Sequence, residues 1–244
     1  MKSYGQFCPI AKACEALGER WTLLLIRELL CGSHRYNDFK RGLPLISPTM
    51  LSQRLSVLQA RGLVELKLSD DSKSREYHLT QAGLELEPIV MGLGEWGARW
   101  VRSQMSDEDL SVELLMWDMR RTINGSALPD NRTVLHFEFK DLDKSYRHWW
   151  MLADGGEIDL CVDDPGFDAD VDFVSDLRTM TALWLGDVSV AAAEASGTLD
   201  VRGAALLIKN LPQWFMFSGF AKIKSGFVES STIGGDSIEV AMKR

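Results

Sequence analysis

A chain of 244 residues carrying a formal net charge of −8 is long enough for two domains. No apolar run approaches the roughly 18 residues that cross a bilayer, and Met1 to Phe7 lacks the hydrophobic region of a secretion signal, which excludes membrane spans and predicts no leader. The cysteines at 8, 14, 31 and 161 are scattered and follow no metal spacing, so a reducing, cytoplasmic setting is expected, with neither metal nor cofactor.

Cys8 to Leu17 reads as a first helix with Pro9 at its first position. Cys8 thus stands at a helix N-terminus, the setting of a reactive thiol, and is the candidate redox sensor; the alternative is a small apolar residue packing that helix. Trp21 to Gly32 reads as a buried helix closed by glycine. Tyr36 to Gly42 is a short helix followed by the turn Leu43-Pro44-Leu45-Ile46. The next helix, 47–62, has clear ends. Ser47 caps its free N–H groups, Pro48 suits the first position and Gly62 the residue after the end.

Leu51, Leu55 and Leu58 repeat at i, i+4, i+7 and turn one face of that helix inward. The opposite face carries Thr49, Gln53 and Ser56, flanked by Ser52 and Arg54, and has no acid. Such donors can bond phosphates and base edges. Two short helices joined by a tight turn make a helix-turn-helix whose second helix is the reader. Leu63 to Leu68 then alternates as a strand, Asp70 to Ser74 turns, and Arg75 to Thr80 returns. This hairpin reads as a wing with Lys73 and Arg75 at its tip.

Several blocks in one order resemble the HxlR family of bacterial winged-helix regulators over residues 8 to about 100. They are Cys8-Pro9, Gly18-Glu19-Arg20-Trp21-Thr22-Leu23, Arg27-Glu28-Leu29-Leu30, Arg35-Tyr36-Asn37-Asp38-Phe39, Ile46-Ser47-Pro48-Thr49-Met50-Leu51-Ser52-Gln53-Arg54-Leu55, Gly62-Leu63-Val64-Glu65 and Tyr77-His78-Leu79-Thr80-Gln81-Ala82-Gly83. The resemblance implies a dimer that binds double-stranded operator DNA through the reading helix and the wing. The DNA-binding candidates are Arg35, Ser47, Thr49, Ser52, Gln53, Arg54, Lys73 and Arg75. Some regulators of this family sense oxidants through a cysteine at the position of Cys8.

Charge divides the chain in the same sense. Through Gln104 it has 14 basic and 11 acidic residues; the remainder has 13 basic and 24 acidic. Only the first part should lie against a phosphate backbone.

Thr80 is expected to cap a long helix to about Gln104, kinked at Pro88. Gly92-Leu93-Gly94-Glu95-Trp96-Gly97 matches a G-x-G-x-x-G string, but it lies inside a helical run with no strand before it, which rules out a nucleotide loop. Small residues at 92, 94, 97 and 98 beside Trp96 and Trp100 suit close helix packing across a dimer. Ser106 caps an acid-rich helix that continues to about Ile123, and turn residues fill 124–131.

From Thr133 the period changes to two. Strands are expected at 133–140, 147–152 and 158–162, with a shorter one around Val171 and Phe173. Ser175 caps a helix to Leu185, 188–195 is a short helix, 199–202 a strand and 204–217 a final helix. The fold class is therefore α+β: a winged helix-turn-helix followed by an antiparallel sheet covered on one face by helices. The strings Trp149-Trp150-Met151-Leu152, Gly156-Glu157-Ile158-Asp159-Leu160-Cys161, Asp164-Pro165-Gly166 and Leu183-Trp184-Leu185-Gly186-Asp187, with Gly197-Thr198-Leu199 and Gly203, resemble a sterol-carrier-protein-2-like (SCP2-like) domain over roughly 130–217. That resemblance implies an apolar cavity for a lipophilic molecule, with Trp150, Trp184, Trp214 and Phe215 near its wall.

The expected domains are 1–105, a DNA-binding unit with dimerisation helices; 106–130, a linking helix and turn; 131–220, the SCP2-like ligand-binding unit; and 221–244, a mobile tail. The four histidines show no catalytic or ligand spacing, and no H-E-x-x-H, G-x-S-x-G or P-loop string occurs, so a non-enzyme is expected. The acids at 163, 164, 168, 170 and 172 lack the glycine and glutamate of a calcium loop and read as a solvated strand and loop. The leading expectation is a homodimeric DNA-binding transcriptional regulator modulated by a lipophilic small molecule. Its alternatives are a redox-responsive regulator acting through Cys8 with a structural C-terminal domain, and a lipophile carrier.

Overall fold

The structure, a computed structural model, describes residues 3–69 and 74–226. Helices Pro9–Leu17 (α1), Thr22–Leu30 (α2), Tyr36–Gly42 (α3) and Pro48–Ala60 (α4) are followed by the antiparallel hairpin Val64–Leu68 (β1) and Arg75–Leu79 (β2). Their apolar faces meet in one core. Leu25, Ile26, Phe39, Leu51, Leu55 and Leu58 are almost wholly buried in it. This is the expected winged helix-turn-helix. The turn at Asp70 to Lys73 lies outside the described residues.

Past the hairpin the structure departs from the sequence reading. Thr80 caps only the short helix Gln81–Leu84 (α5), and a second helix, Glu87–Trp100 (α6), starts after a break. Pro88 sits in the first turn of α6, where its missing N–H has no helical partner to lose. It starts a helix instead of kinking one. The stretch after Ser106 divides likewise: Ser106 caps a single 3₁₀ turn, and Ser111 caps Val112–Thr122 (α7) by accepting from Leu114 N–H at 3.3 Å.

The second core is built on a five-stranded sheet. Thr133–Phe139 (β3) is followed by the short helix Lys144–Arg147 (α8), then His148–Asp154 (β4), Glu157–Cys161 (β5) and Val171–Ser175 (β6). Leu177–Leu185 (α9) and Val190–Ala195 (α10) lead to Leu199–Gly203 (β7), Ala205–Lys209 (α11) and Leu211–Trp214 (α12). The strand order is β5-β4-β3-β6-β7. The β3–β6 pair is parallel and every other pair antiparallel, which corrects the expected all-antiparallel sheet. The long connection from β5 returns the chain across the sheet, and no local pattern fixes that direction.

Two more boundaries shift. Asp176, not Ser175, caps α9 by accepting from Thr179 N–H at 2.7 Å, while Ser175 ends β6. The expected 204–217 helix divides at Asn210, because Pro212 opens a new turn at α12. One face of the sheet, with Leu135, Phe137, Met151, Val171 and Phe173, is buried under α7, α9, α11 and α12. The other face carries His136, His148, Trp150 and Asp172. There His136 bonds Asp172 at 2.7 Å and His148 at 3.0 Å, and Trp150 stacks on His136.

The two cores are joined by buried charge. Glu28 of α2 is wholly buried, and its carboxylate accepts from Ser33 Oγ at 2.9 Å, Arg27 at 2.5 Å, Arg121 of α7 through both Nη atoms, and Trp117 Nε1 at 3.4 Å. Arg121 also binds Asp118 at 2.9 Å. Gly42 packs directly on this carboxylate: a Cβ there would lie 2.0 Å from Glu28 Oε2. Of the expected mobile tail 221–244, only 221–226 fall within the described residues.

Candidate nucleic-acid interface

Ser47 accepts from Met50 N–H at 3.2 Å, and Pro48 takes the first position of α4. Because Leu51, Leu55 and Leu58 face the core, Thr49, Ser52, Gln53 and Ser56 are turned to solvent. No acid stands on this face, so nothing on the helix repels a phosphate.

Both ends of α4 are fixed by groups that hydrophobic spacing does not flag. Tyr36 Oη donates to Pro48 O at 3.0 Å and lies 3.4 Å from Ser52 Oγ. At the other end Arg61 reaches back to the carbonyls of Glu15 and Ala16 at the end of α1. Thr80 Oγ1 donates to Gly62 O at 2.6 Å, tying the turn after α4 to the end of the wing. Each bond links residues distant in sequence, and periodicity within one helix carries no trace of it.

Arg54 is placed differently from its neighbours. Its Nε donates to Arg20 O at 3.1 Å, its Nη1 pairs with Glu19, and its side chain is only 12% exposed. It therefore holds α4 against the α1–α2 turn instead of projecting outward. Ser47 is occupied as the cap. Arg35, at the start of α3, pairs through Nε with Glu76 of β2 at 3.0 Å, while its own N–H donates to Asp38 at 3.1 Å. Arg75 is exposed at the start of β2, and Lys73 lies outside the described residues. The wing is braced at its base. Tyr77 N–H donates to His34 O at 2.8 Å, and the His34 and His78 rings stack at 4.4 Å. The outward-facing set is thus Thr49, Ser52, Gln53 and Ser56 on α4, and Arg35 and Arg75 are exposed at the starts of α3 and β2.

An HxlR-like helix-turn-helix model matches residues 16–105. The HTH-type transcriptional regulator YvaP of Bacillus subtilis is 34% identical over 104 residues, which are 42% of this chain and 96% of YvaP. The chain belongs to the HxlR-like helix-turn-helix family. A second relative, the HTH-type transcriptional regulator MT3179 of Mycobacterium tuberculosis, is 39% identical over 93 residues, 38% of this chain and 58% of that protein. The chain thus spans little more than half of that relative's length. Among solved structures, the oxidised redox regulator HypR is 33% identical and matches with a TM-score of 0.35, covering 41% of this chain and 99% of HypR. The HxlR-like match ends at residue 105, before α7 and the five-stranded sheet.

The other predicted residues lie apart from α4. Cys8 is half-buried, precedes α1, and is a free thiol. The proposed pocket residues do not share one wall. Trp214 and Phe215 are buried, with Phe173 5.4 Å from Phe215 and 6.2 Å from Trp214 by ring centroid. Trp184 is half-buried and donates to Thr122 Oγ1 at 3.3 Å. Trp150 stands on the opposite face of the sheet, since strand alternation sends it away from Trp149 and Met151. Among the described residues no helix is long and apolar enough to cross a membrane.

Proposed function

We propose that this DNA-binding transcriptional regulator works as a homodimer that lays α4 of each copy in the major groove of operator DNA, with each wing on the adjacent backbone. The observation that carries the reading is the acid-free outer face of α4 bearing Thr49, Ser52 and Gln53 on a helix fixed at both ends. A recognition helix specifies sequence by such side chains, while Arg and Lys on its flanks position it on phosphates. Arg35, Arg75 and Lys73 take the phosphate role, Ser47 caps, and Arg54 positions the helix. The test is binding to the chain's own upstream DNA. The Thr49→Ala/Gln53→Ala double variant should lose about 1–3 kcal/mol per base contact while keeping its affinity for unrelated DNA. Unchanged operator affinity would sink the assignment.

The dimer reading is supported by Ile89, Leu93, Trp96 and Trp100, spaced i, i+4, i+7, i+11 on α6, all exposed. Phe7 and Ile10 expose further apolar surface. Gly94, expected to serve the dimer, instead receives Phe220 of its own chain. Sedimentation of Trp96→Glu should give a lighter species than wild type.

For the second half we retain the SCP2-like reading, supported by a sheet covered on one face, and with it a lipophilic effector. The rings of Phe173, Trp214 and Phe215 fill the space first expected to hold that effector. An open apolar groove of about 540 Å³ between α6 and the end of α9, lined by Ala98, Val101, Met105, Leu185 and Phe220, suits such a molecule better. We propose the domain limits 1–105, 106–130 and 131–220 on the same grounds. The redox alternative rests on the position of Cys8 alone.

A further inference from the structure

A second cavity, of about 390 Å³, opens where the two halves meet. Its walls come from both sides: residues 31–35, Asp38, Arg41 and Glu76 from the winged helix, and Trp117, Arg120, Arg121 and Asp159 from α7 and β5. Unlike the groove beside α6, it is lined mainly by polar groups.

Three guanidinium groups gather here on one indole. The centre of the buried Trp117 ring lies 4.5 Å from the guanidinium carbon of Arg120, 4.9 Å from that of Arg121 and 5.3 Å from that of Arg41. The ring face attracts each cation, but the cations repel one another. Of the three, only Arg121 is in direct ion pairs, with Glu28 and Asp118. Arg120 donates Nη1 to Ile158 O at 2.9 Å, and its Nε is buried without a partner. Arg41 has no hydrogen bond or ion pair among the described residues.

No acid in the wall forms an ion pair with Arg41 or Arg120 among the described residues. Glu76 is engaged by Arg35 and lies 3.5 Å from His78, Asp38 caps α3, and Asp159 is exposed. Burial first, and then the charge of Arg121, push Arg120 below its usual value; Asp38 and Asp159 pull it upward, and Arg41 adds the smallest downward push. Two under-compensated guanidiniums facing a polar cavity form a receptor for oxyanions, since charge-assisted bonds to carboxylate or phosphate are the strongest such groups make.

We propose that this cavity binds a compact, multiply charged oxyanion, a polycarboxylate or a phosphate, held between Arg41 and Arg120. Such a ligand bridges α3 and α7 and so ties the winged helix to the sheet domain. The site depends neither on DNA binding nor on dimerisation.

The test is calorimetric titration of the full chain with citrate and, separately, with pyrophosphate, at ionic strength held constant with chloride. Saturable one-to-one binding of at least one probe is expected, and the stronger probe tells a carboxylate site from a phosphate site. Arg41→Gln, at an exposed position that leaves the core intact, should weaken binding about tenfold. Arg120→Gln should do the same, while Arg75→Gln on the wing should not. Absence of saturable binding by both probes would overturn the proposal. So would Arg41→Gln that binds them as wild type does, or that weakens DNA binding alone, which would place Arg41 on the duplex.

Discussion

The two halves of the chain use polar groups in opposite ways. In the winged helix the decisive polar side chains point out: Thr49, Ser52 and Gln53 are exposed over a core of leucines. Where the halves meet, they point in: Glu28 and Ser33 are buried, Arg121 is half-buried, and the three are bonded to one another. An outward polar face can serve recognition, because changing it leaves the fold alone. An inward network is structural, because removing one member strands a charge out of water.

The largest expected effect breaks the inward network. Glu28→Ala leaves Arg27 and Arg121 without their shared carboxylate and should lower unfolding free energy by about 3–5 kcal/mol in a denaturant titration. A loss within the range of ordinary surface substitutions would show that the junction contributes little. Its pH dependence sharpens the point. Burial alone would raise the Glu28 carboxyl, but hydrogen bonds and charge from Arg121 and Arg27 hold it below the ordinary value. A folded value below the unfolded one stabilises above the carboxylate range, and that stability is lost as pH falls through it. Asp118 opposes this, because burial holds it above its usual value despite Arg27 and Arg121. Glu28→Gln should therefore make stability measurably less sensitive to acid than in wild type.

Gly42→Ala should follow, at about 1–3 kcal/mol, since its methyl group would strike the Glu28 carboxylate. Arg54→Ala is predicted to cost about 1 kcal/mol of stability and to lower operator affinity with it, because the residue anchors α4 to Glu19 and Arg20. Gln53→Ala should lower affinity alone. A pair of variants behaving alike would erase the distinction between anchor and reader. The smallest effect is expected from Cys8→Ser, which should bind operator as wild type does under reducing conditions. If Cys8 senses oxidants, wild type alone should then lose affinity on mild oxidation.

The sequence alone determined what is local. The Ser47 cap, the Pro48 start, the leucine repeat of α4 and the alternation of β1 and β2 are each set by neighbours within a few residues, so the winged helix and its outer face were legible. The α+β character of the second half was legible too, from its change of period at Thr133. Tertiary structure alone decided what depends on distant partners. It made β3 and β6 parallel, turned Arg54 inward to Glu19, and put Trp150 and Trp214 on opposite sides of one sheet. It also brought Arg41 to Arg120 over Trp117. Periodicity tells which face of an element is buried, but not which element buries it, and charge pairing such as that of Glu28 with Arg121, 93 residues apart, is set only when the chain has packed.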